Sequence, residues 1–190
     1  MVQGAVPRHS ICVQQGGLPG LADFRSVPNM KYALKQKWFS LGNHFPIVDE
    51  KGLEAYRVDG STAKGNTRIS FRDRKDTELA FISQKMHSSG PAFEIYHGDD
   101  LQAVVGKDNF SLHHCNFSAE ASAPDDLRAE GNLDAREYTF TREGRPVGRV
   151  SKSLFGTGSY GVEVGRGEDE LVLLASACVI DLCCLSRKAG

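Results

Sequence analysis

Residues 171–185 read LVLLASACVIDLCCL, and this run limits the fold more than any other part of the chain. Thirteen of its 15 residues are apolar, and the exceptions are Ser176 and Asp181. A membrane-spanning helix needs about 20 mostly apolar residues, so the run is too short and carries a charge. Glu168, Asp169 and Glu170 precede it and Arg187 and Lys188 follow, the charge order a helix dipole favours. The spacing predicts a helix over 168–186. A surface helix has one apolar stripe, whereas a helix apolar on every side must be surrounded by protein. The rest of the chain reads as strands. The expectation is therefore a mainly β fold, a closed sheet or barrel with the hydrophobic C-terminal helix threaded through its centre. Asp181 then belongs near a barrel mouth or beside a partner, because an isolated buried carboxylate is costly.

Upstream, a short theme repeats. Eight residues after Lys37, Lys85 and Lys152 stand Phe45, Phe93 and Tyr160, and ten after them stand Ile47, Ile95 and Val162. Gly42 and Gly90 lie five after the first two anchors, and Gly158 lies six after the third. A second theme occupies 48–60, 71–85, 96–107 and 140–152: a strand end, an acidic or glycine turn, then alternation into a β-branched residue. Such alternation bounded by Asp, Gly and Asn marks hairpins, and hairpins at this spacing build an all-β sandwich or barrel. Residues 108–140 are less regular, with one or two strands before 124, two more after it, and a bend at Gly131–Asn132. Residues 1–29 hold three prolines and four glycines without periodicity and read as a poorly structured leader, either a tail of the protein or a stretch upstream of a natural start at Met30. Residues 30–190 form the single domain.

The chain has 190 residues and a net charge of −1, which argues against a strongly basic nucleic-acid binder. The five cysteines (12, 115, 178, 183 and 184) are odd in number and show no metal-ligand spacing, so they read as reduced thiols of a cytoplasmic protein. The N-terminus lacks the apolar core of a signal peptide.

KYALKQKWFSLGNHFPIVDEKGLEAYRVDG, LAFISQK, EGN at 130–132 and GRVSKSLFGTGSYGVEVGRGEDELVLLASACVIDLCC together resemble the LURP-one-related family, which is grouped with the tubby C-terminal domain and the phospholipid scramblases. The resemblance spans about Met30 to Leu185 and is most specific in K-Q-K-x-F-S-L-G and in G-E-D-E-L-x-L-x-x-A-x-x-x-I-D. It implies a twelve-stranded barrel around a central helix. It also implies a non-enzymatic binding or adaptor module, with anionic phospholipid, phosphoinositide or a protein as partner.

The remaining chemistry is sparse. His113–His114–Cys115 is the densest set of metal-ligand types, but neighbours on a strand point to opposite faces, so no metal site is expected. His44, His87 and His97 are separate. GTGSYG (156–161) lacks the Lys-Ser/Thr ending of a phosphate loop and the G-x-S-x-G of a nucleophile elbow, and reads as a turn between strands. No catalytic residue and no cofactor is expected. Lys31, Lys35 and Lys37 alternate on one strand and so share a face; Lys85 and Lys152 are the counterparts of Lys35 and Lys37 in the repeats. These five lysines are the candidate contacts for anionic lipid headgroups, placing a cytoplasmic protein peripherally at a membrane. The alternative is a scramblase-like, membrane-active protein that inserts its C-terminal helix, and a weaker one is an enzyme.

Overall fold

The computed structural model describes residues 29–35, 44–63, 66–87, 90–108, 116–121, 127–155 and 158–186. They form a mainly β, antiparallel fold with one C-terminal helix. The strands are β1 (Met30–Lys35), β2 (His44–Asp49), β3 (Glu54–Ala63), β4 (Asn66–Arg72), β5 (Glu78–His87), β6 (Gly90–His97), β7 (Asp100–Asp108), β8 (Asn116–Ala121), β9 (Leu127–Asn132), β10 (Glu137–Arg142), β11 (Arg145–Ser151) and β12 (Ser159–Val164). The helix, α1, is Glu170–Ser186. Each strand pairs with its sequence neighbours, and β1 lies between β12 and β2, so the order closes into a barrel. The β1–β12 ladder has six residue pairs, Met30↔Val164 through Lys35↔Ser159. The β1–β2 ladder is short, with two pairs, Tyr32↔Asp49 and Ala33↔Val48.

The hairpin theme maps onto the turns at one end of the barrel. Each of its four copies carries a register shift just before the turn: Ile47/Val48, Phe71/Arg72, Ile95/Tyr96 and Phe140/Thr141. A bulge adds local twist and bends the strand, which helps a sheet curl. In the first two copies an aspartate builds the turn. Asp49 Oδ1 accepts from the backbone N–H of Lys51 and Leu53, and Asp73 Oδ1 accepts from Lys75 and Thr77, all at 2.8–2.9 Å. Three residues on, Gly52 (φ 75°) and Asp76 (φ 67°) take the left-handed conformation that glycine and aspartate tolerate best.

The aromatic and aliphatic members of the first theme all point inward. Phe45, Ile47, Phe93, Ile95, Tyr160 and Val162 are each at most 5% exposed. They pack with Leu34, Val58, Ile69, Phe71, Ile82, Val105 and Phe140 around α1. Residues Val172 to Asp181 of α1 are buried without a break, nearly three turns of helix with protein on every side. Asp169 caps the helix: its Oδ1 accepts from Val172 N–H at 3.1 Å. The helix thus begins at Glu170, two residues later than its charge pattern suggests.

The bend expected at Gly131–Asn132 lies instead at Leu133–Arg136. Gly131 ends β9 with φ 137°, and a Cβ there would sit 2.6 Å from Glu137 O; Asn132 Oδ1 steadies the turn by accepting from Ala135 N–H at 2.9 Å. Residues 1–28, Lys37, His113–His114–Cys115, Arg187 and Lys188 lie outside the described residues.

Candidate functional site

Three adjacent strands, β1, β12 and β11, carry the densest positive charge. Tyr32, Leu34, Val150, Tyr160, Val162 and Val164 face the core, so the alternate residues face outward. Register sets Arg149 opposite Glu163, and Glu163 opposite Lys31, in one outer row. With the 3-10 turn Lys152–Leu154 that follows β11, these elements hold Lys31, Lys35, Arg145, Arg149 and Lys152 beside Glu163, with Glu143 and Glu137 bordering them at Arg145 and Lys152. Five basic residues beside these three acids leave the sector a modest excess of positive charge, in a chain whose net charge is −1. Asn29 Nδ2 donates to Glu163 Oε1 at 3.2 Å, and Arg145 pairs with Glu143 in the adjoining turn at 3.0 Å.

Lys152 is exposed on a fixed platform. Glu137 Oε1 accepts from the Lys152 backbone N–H at 2.8 Å and from Ser151 Oγ at 3.0 Å. Leu154 and Phe155 then fold onto Gly161 of β12, so closely that a Cβ there would lie 2.3 Å from Leu154 Cβ. The structure thus brings Lys31, Lys35 and Lys152 into one sector. It adds Arg145 and Arg149, which no repeat or motif marked and only the strand order reveals. Lys85 lies apart, on β5, four strands from β1, where it faces Glu94 at 3.7 Å.

Polar ties hold both ends of α1. At its start Glu170 accepts the hydroxyls of Tyr32 (β1) and Tyr56 (β3), lacing together the strands on either side of β2 beside the short β1–β2 ladder. Burial, and then the Glu170 carboxylate, push both phenols above their usual range. Near its end Asp181, 2% exposed, accepts from Arg136 Nε at 2.9 and 3.2 Å. Arg136 sits in the β9–β10 turn at φ 57°, with its guanidinium 5.1 Å from the Tyr160 ring centroid. Burial alone pulls Arg136 down, but the Asp181 charge and hydrogen bond leave it above its ordinary value.

On the other flank of β1, β2 to β5 line up His44, Asp59, Ser70 and Phe81 in another outer row. His44 Nδ1 and Asp59 Oδ1 are 2.5 Å apart. A hydrolytic triad needs histidine between serine and carboxylate. Here Asp59 stands in the middle, bound also to Arg72 Nε at 3.2 Å, and Ser70 Oγ donates to Glu78 at 2.5 Å. The serine's partner is thus a carboxylate and not the histidine. Both faces of Phe81 are occupied: Tyr96 stacks on it at 4.8 Å and the Arg68 guanidinium lies 3.7 Å from its centroid. Among the described residues no group of three or more His, Cys, Asp or Glu is placed to hold a metal. No helix among them is long and apolar enough to cross a membrane.

A family model described as LURP-one-related matches residues 30–181. The uncharacterized protein YxjI of Bacillus subtilis (strain 168) is 29% identical over 152 residues, covering 78% of this chain and 90% of the relative. The X-ray structure of an Arabidopsis thaliana protein superposes with a TM-score of 0.61 at 13% identity, covering 82% of this chain and 91% of the other. That likeness concerns the fold alone.

Proposed function

The chain belongs to the LURP-one-related family, and on that premise we propose that it is a non-enzymatic binding module whose outer surface contacts anionic phospholipid headgroups. The observation that carries this reading is the unbroken burial of Val172–Asp181. The barrel interior is occupied by its own helix, which moves recognition to the outside. The positive excess on β1, β12 and β11 supplies the charge complementarity. Each basic residue near an anionic bilayer adds about 1 kcal/mol, so Lys31, Lys35, Arg149 and Lys152 together give modest, salt-sensitive attachment. An inserting, scramblase-like helix would first have to break both polar ties and carry Asp181 into lipid.

Vesicle co-sedimentation tests the proposal. The protein should pellet with phosphatidylserine- or phosphoinositide-containing vesicles at low salt and remain in the supernatant with pure phosphatidylcholine. Lys31→Glu with Arg149→Glu and Lys152→Glu should abolish pelleting, and Lys85→Glu should leave it unchanged. Absence of pelleting at low salt, where screening is weakest, overturns the lipid reading.

A further inference from the structure

A folded protein opens first along the segments that fewest interactions hold, and in a closed barrel that is the shortest ladder. Among the described residues the β1–β2 ladder has two residue pairs, Tyr32↔Asp49 and Ala33↔Val48. On their other sides β1 has six pairs with β12 and β2 has five with β3. The next shortest ladder, β8–β9, has three. The β2 sequence accounts for the short seam. Asp49 N–H is taken by Leu53 O on the β3 side, and successive N–H groups of a strand point to opposite sides. Val48 N–H and position 46 therefore face β1. Position 46 is a proline, which has no N–H to continue a ladder.

Side chains bridge this seam from the inside. Glu170, half-buried in the first turn of α1, accepts the hydroxyls of Tyr32 on β1 and Tyr56 on β3. The two rings lie 6.0 Å apart with their planes tilted by 44°, so β1 and β3 meet over β2. Tyr32 is buried in the core cluster and Tyr56 packs against it. One carboxylate thus spans the two-pair ladder and fastens it to the helix.

We propose that the β1–β2 seam is where this barrel opens while the rest of it stays folded, and that Glu170 is the clasp that holds it shut. Opening parts β1, which stays with β12, from β2, which stays with β3. It separates Tyr32 and Tyr56 from Glu170, frees the first turn of α1 and leaves the other ladders paired. Parting β1 from β12 instead would break six residue pairs. The device is independent of the lipid reading, because it follows from how the barrel closes. Lys31 and Tyr32 are neighbours on β1, so the basic side and the seam share one strand.

Native-state amide hydrogen exchange of the full chain, followed by NMR in low concentrations of urea, tests this. The Val48 amide should exchange at least about tenfold faster than the slowest amides of β10–β12, with a weak urea dependence, the mark of an opening smaller than global unfolding. Tyr32→Phe and Tyr56→Phe each keep the ring and remove one bond to Glu170, and each should speed Val48 exchange about tenfold. Tyr96→Phe removes an equivalent bond, to Glu94 at 2.7 Å on β6, and should leave Val48 unchanged. Should either seam variant fail to fold, Glu170→Gln replaces it: a neutral acceptor of the same shape binds the phenols more weakly and should also speed Val48. Val48 exchange as slow and as urea-dependent as the slowest amides would show that the seam opens only with the whole barrel, and the proposal falls. Fast Val48 exchange that ignores the Tyr32, Tyr56 and Glu170 substitutions, or answers equally to Tyr96→Phe, would overturn Glu170 as the clasp.

Discussion

Removing the arginine at the far end of the helix should cost the fold more than any single surface change. Asp181 is 2% exposed on α1, and Arg136 meets it through Nε at 2.9 and 3.2 Å with a side chain 14% exposed. Arg136→Met preserves much of the volume but strands a carboxylate inside the barrel. Breaking a buried pair from one side costs about 3–5 kcal/mol, a large share of the roughly 5–15 kcal/mol that holds a domain together. At about 2–4 °C per kcal/mol for a chain of this size, the melting temperature should fall by roughly 10 °C. Asp181→Leu should cost less, about 1–2 kcal/mol. The guanidinium left behind sits at the rim and reaches water, and leucine suits a helix interior better than aspartate. The double variant, with neither charge, should return close to wild-type stability or exceed it.

Urea unfolding followed by circular dichroism measures all four proteins, and the cycle should yield a coupling of about 3 kcal/mol or more. A pH series adds a signed check. In Arg136→Met the buried carboxylate has a pKa raised above its unfolded value of about 3.9. The folded state then binds a proton that the unfolded state lacks, so the variant's deficit should shrink as pH falls from 7 toward about 5. Additive single effects, or an Arg136→Met loss below about 1 kcal/mol, would show that the pair is not what keeps Asp181 inside.

Two further outcomes follow from the same packing. All five tyrosines have phenols raised above 10.0. Burial leads for Tyr32, Tyr56, Tyr138 and Tyr160, and the hydrogen bond to Glu94 leads for Tyr96. Burial also raises the Cys178 thiol above 9.0. Because the folded values are raised, the associated stability is intact below the unfolded values and lost as pH climbs from about 9 upward. Tyrosinate absorbance should therefore appear cooperatively with unfolding, and reversible ionisation of two or more tyrosines near pH 10 in an intact fold would contradict the burial argument. Gly161→Ala should destabilise by about 1–3 kcal/mol through overpacking against Leu154 and Phe155 and free the Lys152 turn, seen as faster amide exchange at 152–155. An unchanged exchange rate there would mean that the turn is held without this contact.

The parts of the fold legible in the sequence are those where one residue type satisfies two demands at once. The run at 171–185 had to be surrounded by protein because only Ser176 and Asp181 on it suit water, and the structure buries ten consecutive residues of it. Phe45, Phe93 and Tyr160 share a spacing because each enters a strand from the same end and faces the core. Asp49 and Asp73 were visible as turn residues because their side chains replace missing backbone acceptors. The Gly131–Asn132 bend was misplaced for the converse reason. Glycine is chosen there for the close approach of Glu137 O, not for reversing the chain, and sequence does not separate the two uses. Asp181 was recognisably in need of a partner, but Arg136 lies 45 residues away in a turn, and no local pattern connects them.

The candidate surface was only half legible, and the reason is topological. Repeats assign equivalent positions to Lys85 and Lys152, and equivalence along the chain is equivalence around a barrel, which separates the copies in space. Lys85 consequently faces Glu94 on β6 while Lys152 projects beside β12. What gathers charge is adjacency across strands, and the most consequential adjacency here is the return of β12 to β1. It sets Arg149, Glu163 and Lys31 in one row from segments more than a hundred residues apart. A net charge of −1 conceals that row because the acids concentrate elsewhere, in the Asp59, Asp76 and Glu78 network around Arg72 on β3–β5. There each arginine is already engaged by carboxylates and has little left to offer a ligand. On the β1–β12–β11 side Arg145 is engaged in the same way by Glu143, which leaves Lys31, Arg149 and Lys152 to carry that face. Across that side the register sets one acid, Glu163, between Lys31 and Arg149, and the proposed headgroup contact rests on that imbalance.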